Sequence, residues 1–107
     1  MEQRRTRRFK LQLPLAITRS GAERVALAGL TRNISSNGVL FTAGGAPDLS
    51  GPIEYVITLN KEGPQAVNLR CIGKVVRAER IEAAHTVDVP NYQVAATLER
   101  YEFVREH

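Results

Sequence analysis

Apolar residues recur at every second position, in short runs separated by turn residues, along most of this 107-residue chain. Leu11, Leu13, Leu15 and Ile17 alternate with Gln12, Pro14, Ala16 and Thr18. Ile53, Tyr55, Ile57 and Leu59 repeat the pattern, as do Tyr92, Val94, Ala96 and Leu98. A period of two is that of a strand with one face in a core and the other in water. Val25 to Arg32 reads as a further strand and Val39 to Thr42 as a short apolar one. Val67, Leu69, Cys71 and Val75 read as a long strand, in which Gly73 marks a bulge or bend. Turn residues cluster at Ser20-Gly21, from Asn33 to Gly38, from Gly44 to Pro52 and from Asn60 to Pro64, where Gly, Pro, Asn and Ser supply the turning conformations. Residues 79–90 read as a polar connector in which Val87 and Val89 leave room for a little strand. Arg77 to Ala84 has room for one turn of helix, and no stretch shows a sustained helical period. About six short strands in this arrangement predict an all-β, antiparallel barrel or sandwich, and closing the sheet removes edges that invite aggregation.

The length suits one domain, and 43% hydrophobic residues suffice for one modest core. No apolar run is long enough to span a membrane, and the arginine-rich start has no apolar segment behind it of the kind a secretory signal needs. The lone cysteine, Cys71, has no internal disulfide partner, which suits a reducing compartment, so a cytoplasmic location is expected. The net charge of +4 is localised. Residues 1–10 carry Arg4, Arg5, Arg7, Arg8 and Lys10 against Glu2, which is the whole surplus, and the remaining 10 basic and 10 acidic residues balance. The chain therefore divides into a basic arm (1–10) and a neutral body (11–107). A protein that grips a long phosphate track spreads its charge over a face, whereas this distribution suits a small anion.

Two short segments carry candidate binding chemistry. Arg4-Arg5-Thr6-Arg7-Arg8-Phe9 places four guanidinium groups within five positions, where they repel one another until an anion neutralises them. Guanidinium forks onto phosphate oxygens and stacks on flat bases. Phe9 is the arm's main apolar group, so the free arm is expected to be mobile and to be ordered by a ligand. A solvated basic tail is the plainer reading of the same composition. The second segment is Asn33-Ile34-Ser35-Ser36-Asn37-Gly38. Asn33 offers a donor and an acceptor, the Ser35 hydroxyl offers either, and Gly38 admits torsions closed to other residues and close approach by a ligand. These are also the residues of which ordinary turns are made.

Taken together, Arg4-x-x-x-Arg8 ahead of a strand and Asn33-x-Ser35-x-x-Gly38 between two strands resemble the paired motifs of the PilZ domain family. Phe9 to Leu15 looks like that family's first strand, and Gly73-Lys74-Val75-Val76-Arg77 is similar to a later one. The resemblance covers roughly residues 3–98. It implies a six-stranded antiparallel barrel that binds the bacterial second messenger cyclic di-GMP. Arg4 and Arg8 would hold phosphates and stack on guanine, with Arg5 assisting and Arg7 without a motif role. Asn33 and Ser35 would read guanine edges, and Gly38 would keep the turn tight. Many members end in a helix. The segment from Leu98 to His107 leaves little room for one, and the usual look of the last strand is replaced here by Val94-Ala95-Ala96-Thr97-Leu98. With the arm starting at residue 4, no upstream domain is expected for it to move.

No catalytic constellation emerges. His85 and His107 are isolated, Cys71 reads as a small buried apolar residue, and no base pairs with Ser35 or Ser36. Gly44-Gly45 lacks the lysine and the strand-to-helix context of a phosphate loop. The expectation is thus a non-enzymatic receptor, with no cofactor and no metal, that relays the ligand to an unidentified effector protein when its arm orders. A related barrel that acts by protein contacts alone is the first alternative. A single-stranded nucleic-acid barrel is the second, opposed by a neutral body and by aromatics (Phe9, Phe41, Tyr55, Tyr92, Tyr101 and Phe103) that are scattered rather than grouped on one strand face. With no apolar stripe left over, a monomer is expected.

Overall fold

The computed structural model describes residues 12–45, 47, 51–60, 66–81 and 91–106. These form seven strands: β1 (Pro14–Ser20), β2 (Glu23–Ile34), β3 (Gly38–Ala43), β4 (Pro52–Asn60), β5 (Ala66–Ile81), β6 (Asn91–Thr97) and β7 (Arg100–Glu106). Every pairing is antiparallel. Following the hydrogen bonds from β4 through β1, β2, β3, β6 and β5 leads back to β4, so six strands close into a barrel. The length of β5 makes the closure possible. Its first half pairs with β4 over Val67–Lys74, and its second half pairs with β6 over Val75–Ile81. Strand β7 continues in line with β6 and lies along the first half of β5, from Ile72↔Arg100 to Ala66↔Glu106.

The alternation in the sequence becomes the inside and outside of this barrel. Leu15 and Ile17 of β1, Val39, Phe41 and Ala43 of β3, and Ile53, Tyr55 and Ile57 of β4 are buried together with Cys71 and Val75 of β5 and Val94 and Ala96 of β6. Burying each larger side chain contributes about 1.5–3 kcal/mol. Phe41 and Tyr55 meet with ring centroids 5.7 Å apart. The Tyr55 hydroxyl donates to the carbonyl of Thr97 at 3.0 Å, which satisfies the polar end of a ring with no exposed surface. Gly73 lies under the same residue: a Cβ built on it would stand 1.9 Å from the Thr97 carbonyl oxygen. The carbonyl that Tyr55 anchors therefore occupies the space where a side chain at position 73 would go.

Most strand expectations hold, with shifted ends. Asn33 and Ile34 belong to β2 and Gly38 to β3, so the turn between them is only residues 35–37. Pro52 opens β4. Residues 77–81, read from sequence as a turn of helix and the start of a connector, are strand because β6 pairs with them from Arg77↔Ala95 to Ile81↔Asn91. Gly73 is in register with Ile53, and the irregularity in β5 falls later, between Val75 and Arg77. The C-terminal segment forms β7 rather than a helix or loose tail. Tyr101 and Phe103 share one exposed face of β7 with centroids 6.2 Å apart, so these two aromatics are grouped in space and not scattered. The basic arm, the turn after Asn60 and the connector containing His85 fall outside the described residues.

Two measurements check this packing. Gly73→Ala drives a methyl into backbone that Tyr55 holds in place. Chemical denaturation should show a loss of at least about 2 kcal/mol, and an unchanged midpoint would contradict the close approach. Burial also pushes the Cys71 thiol up to about 12 and raises the Tyr55 phenol further still, with the nearby Cys71 and Glu99 adding to the rise. Unfolded, the two groups ionise near 9.0 and 10.0. Below pH ~9 both states hold these protons and stability is unaffected. Above it the unfolded chain loses protons that the folded one keeps, so the urea midpoint should fall from pH ~9 toward ~12. Cys71→Ala should flatten the first part of that fall.

Candidate functional site

Two register shifts face each other across the barrel wall. On β2, Thr31 pairs with Phe41 but Asn33 pairs with Leu40, so Arg32 is an extra residue. On β5, Val75 pairs with Ala96 but Arg77 pairs with Ala95, so Val76 is extra. One inserted residue reverses which face the following side chains occupy. Thr31 and Val75 are buried, and regular alternation would send Asn33 and Arg77 into the core after them. Both instead fall in register with the outer face. Leu40 pairs with Ala95 between them, so Asn33, Leu40, Ala95 and Arg77 form one row across β2, β3, β6 and β5. The two polar ends of this row are three strand spacings apart, about 14 Å.

A cleft of about 310 Å³ opens along this row. Asn33, Ser35 and Asn37 line one side, Val76 and Arg77 the other, with Leu40 and Ala95 between and Thr97 at the end. Small Ala95 lies on the floor between Asn33 and Arg77, and the inserted Val76 lines the far side. The rim thus offers an amide, a guanidinium and an apolar floor, a combination suited to a flat, polar-edged, anionic ligand.

The turn that forms the cleft's near side is held by Ser35. Its N–H donates to the Gly38 carbonyl at 2.9 Å, and its hydroxyl accepts from the N–H groups of Asn37 (3.2 Å) and Gly38 (3.3 Å) and donates to the Gly38 carbonyl (3.3 Å). One donor and two acceptors are all that a hydroxyl has, so Ser35 is fully engaged in shaping the turn, and reading a guanine edge would require it to release one of these partners. Gly38 is needed for a different reason from the torsional freedom expected of it. Its φ is not in the left-handed region, which among the described glycines holds only for Gly21. A Cβ at Gly38 would instead lie 2.6 Å from the Ala96 carbonyl oxygen, so glycine lets β3 approach β6 here. The turn is tied to the end of β6 by the Leu98 N–H, which donates to the Asn37 carbonyl at 3.0 Å.

Of the expected site residues, Asn33, Ser35 and Gly38 come together on the cleft. Arg4, Arg5 and Arg8 lie outside the described residues. The described chain does show where the arm attaches. The Leu13 N–H donates to the Thr31 hydroxyl, and the Thr31 N–H donates to the Leu13 carbonyl, both at 2.9 Å. The arm therefore joins the barrel two residues from Asn33. Sequence reasoning missed Arg77 and Asn37 as lining residues. The signal for Arg77 was an arginine two positions after an apolar Val75, where the alternation points into the core.

Other chemistry is thinly represented. Cys71 is buried and stays a thiol, and no group of three potential metal ligands forms among the described residues. No curated protein and no solved structure shows significant similarity to the chain. The family model described as PilZ domain matches residues 2–103, nearly the whole chain. It spans the arginine arm, the Asn33–Gly38 turn and all six barrel strands, and the chain belongs to the PilZ domain family.

Proposed function

We propose that this protein is a receptor for cyclic di-GMP, which binds between the arginine arm and the cleft on β2, β3, β6 and β5. PilZ domains are known as cyclic di-GMP receptor modules and not as enzymes. The observation that carries the reading is positional: Asn33 and Arg77 are turned outward by separate register shifts onto the same row, beside the point where the arm leaves the barrel. In this account Arg4 and Arg8 clamp the phosphates and stack on guanine, with Arg5 assisting. Asn33 reads a guanine edge, Ser35 and Gly38 hold the turn that presents it, and Arg77 adds a cation from the opposite wall. Fixing the arm across the cleft costs about 1–2 kcal/mol per backbone residue. Charge-assisted arginine contacts at about 1.5–3 kcal/mol each, together with base stacking, offset that cost. The arm, once fixed, presents a changed surface to an effector protein in the cytoplasm, and no bond in the ligand breaks.

Calorimetric titration tests this directly. The natural sequence should give saturable heat with cyclic di-GMP and none with GTP. Arg4→Ala/Arg8→Ala should abolish the heat, and absence of heat with the natural sequence would overturn the receptor reading in favour of a barrel that acts through protein contacts alone. Asn33→Ala and Arg77→Ala should each weaken binding by about tenfold or more, the loss of one charge-assisted or paired polar contact. Arg24→Ala, an exposed cation at the far end of β2, should bind as the natural sequence does. Equal weakening by Arg24→Ala and Arg77→Ala would mean that general charge, not the cleft, governs affinity.

A further inference from the structure

Among the described residues, β7 pairs on one side alone, whereas every other strand pairs on both. An open strand edge is a template for another strand, and this one carries Tyr101 and Phe103 on one face, 61% and 64% exposed, with their rings edge to face. The opposite face carries Arg100 and Glu102, the latter bonded to Arg70 at 3.2 Å. We propose that two copies of the chain associate by antiparallel pairing of β7 with β7 about a two-fold axis at Phe103, extending the sheet from one barrel into the next.

Charge selects both the occupant and the register. A two-fold axis perpendicular to the sheet keeps each residue opposite one on the same face, so residue i faces a residue whose number differs from it by an even number. Centred on Phe103, the pairing spans the whole of Arg100–Glu106. Position 100 then faces position 106, an arginine opposite a glutamate, and this occurs twice. Tyr101 faces Arg105, also twice, and Phe103 faces Phe103. Aromatic pairs, aromatic–cation pairs and opposite charges across strands are each favourable. Centring on residue 102 places Glu102 against its own copy. Centring on residue 104 places Glu102 against Glu106 in both halves. Both alternatives oppose like charges, which destabilises a strand pair. The seven-residue strand is thus self-complementary in one full-length register, whereas charged edges that serve only to repel neighbours have no need to be.

The joined edges are short and lie below the roughly 1,000 Å² of a tight interface, so the dimer should be concentration-dependent. The expectation of a monomer rested on the absence of a leftover apolar stripe, and Tyr101 with Phe103 is one.

Sedimentation equilibrium of the full chain, over concentrations from about 10 µM to about 1 mM, tests the pairing. The natural sequence should approach dimer mass. Phe103→Glu should hold it at monomer mass, and Arg100→Glu should weaken association by at least about tenfold, because it places two glutamates opposite each other twice. Arg100→Glu/Glu106→Arg should restore association to within about threefold. These positions are exposed or lie at the end of β7, and circular dichroism of each variant verifies the barrel. Monomer mass throughout, or a dimer that Arg100→Glu leaves intact, would overturn the proposal. A monomer that shifts a single-stranded oligonucleotide, with Phe103→Glu abolishing the shift, would assign the face to nucleic acid instead.

Discussion

Barrel closure depends on β5 pairing with β4 along one half and β6 along the other, and the register shift where it changes partner lies along the candidate cleft. A strand of 16 residues pairs with β4 along its first half and turns to pair with β6 along its second. The change of partner comes with an inserted residue at Val76, and a matching insertion at Arg32 lies across the wall. Bulges sharpen twist and re-aim side chains. Without them, Asn33 and Arg77 would point into a core made of Phe41, Tyr55 and Val94, at several kcal/mol for an unpaired polar group and more for a charge. The features that bend the sheet into a barrel also turn these two polar residues outward onto one row.

Thr97 is the joint between this cleft and the rest of the molecule. Its carbonyl accepts from Tyr55 and lies against Gly73, and its hydroxyl accepts from the Lys74 N–H at 2.8 Å and donates to Glu99 at 3.0 Å. It lines the end of the cleft and lies three residues before β7 begins. Leu98, next along, bonds to the Asn37 carbonyl of the site turn. The segment from Thr97 to Glu99 therefore connects the buried centre, the turn that presents Asn33, and the direction in which β7 leaves the barrel.

The sequence showed the strands plainly wherever one face is buried. The period-two pattern of β1, β4 and β6 was legible because Leu15, Ile57 and Val94 each alternate with outward residues. It failed where burial did not supply the pattern. Residues 77–81 looked like a connector because their strand is set by pairing with β6 and leaves Arg77, Glu79 and Arg80 exposed. Strand β7 was invisible because Tyr101 and Phe103 face outward into water, so no core-facing period marks it. Motif spacing singled out Asn33, Ser35 and Gly38, and the fold brings all three to one cleft. The Ser35 hydrogen bonds are local, within residues 35–38, whereas the close approach of Gly38 to Ala96 depends on the long-range pairing of β3 with β6 and has no mark in the sequence. Arg77 was reachable only by noticing that its position breaks parity with Val75.

The most direct test of the account is where the ligand falls. Backbone amide NMR of the full chain, recorded with and without cyclic di-GMP, reports on each strand separately. With cyclic di-GMP in the cleft, shifts should concentrate at Asn33, Ser35, Asn37, Gly38, Ala95 and Arg77, while the opposite wall around Arg19, Glu54 and Arg70 stays unmoved. Shifts confined to that opposite wall, or spread along β7 and absent from the Asn33–Gly38 turn, would contradict it.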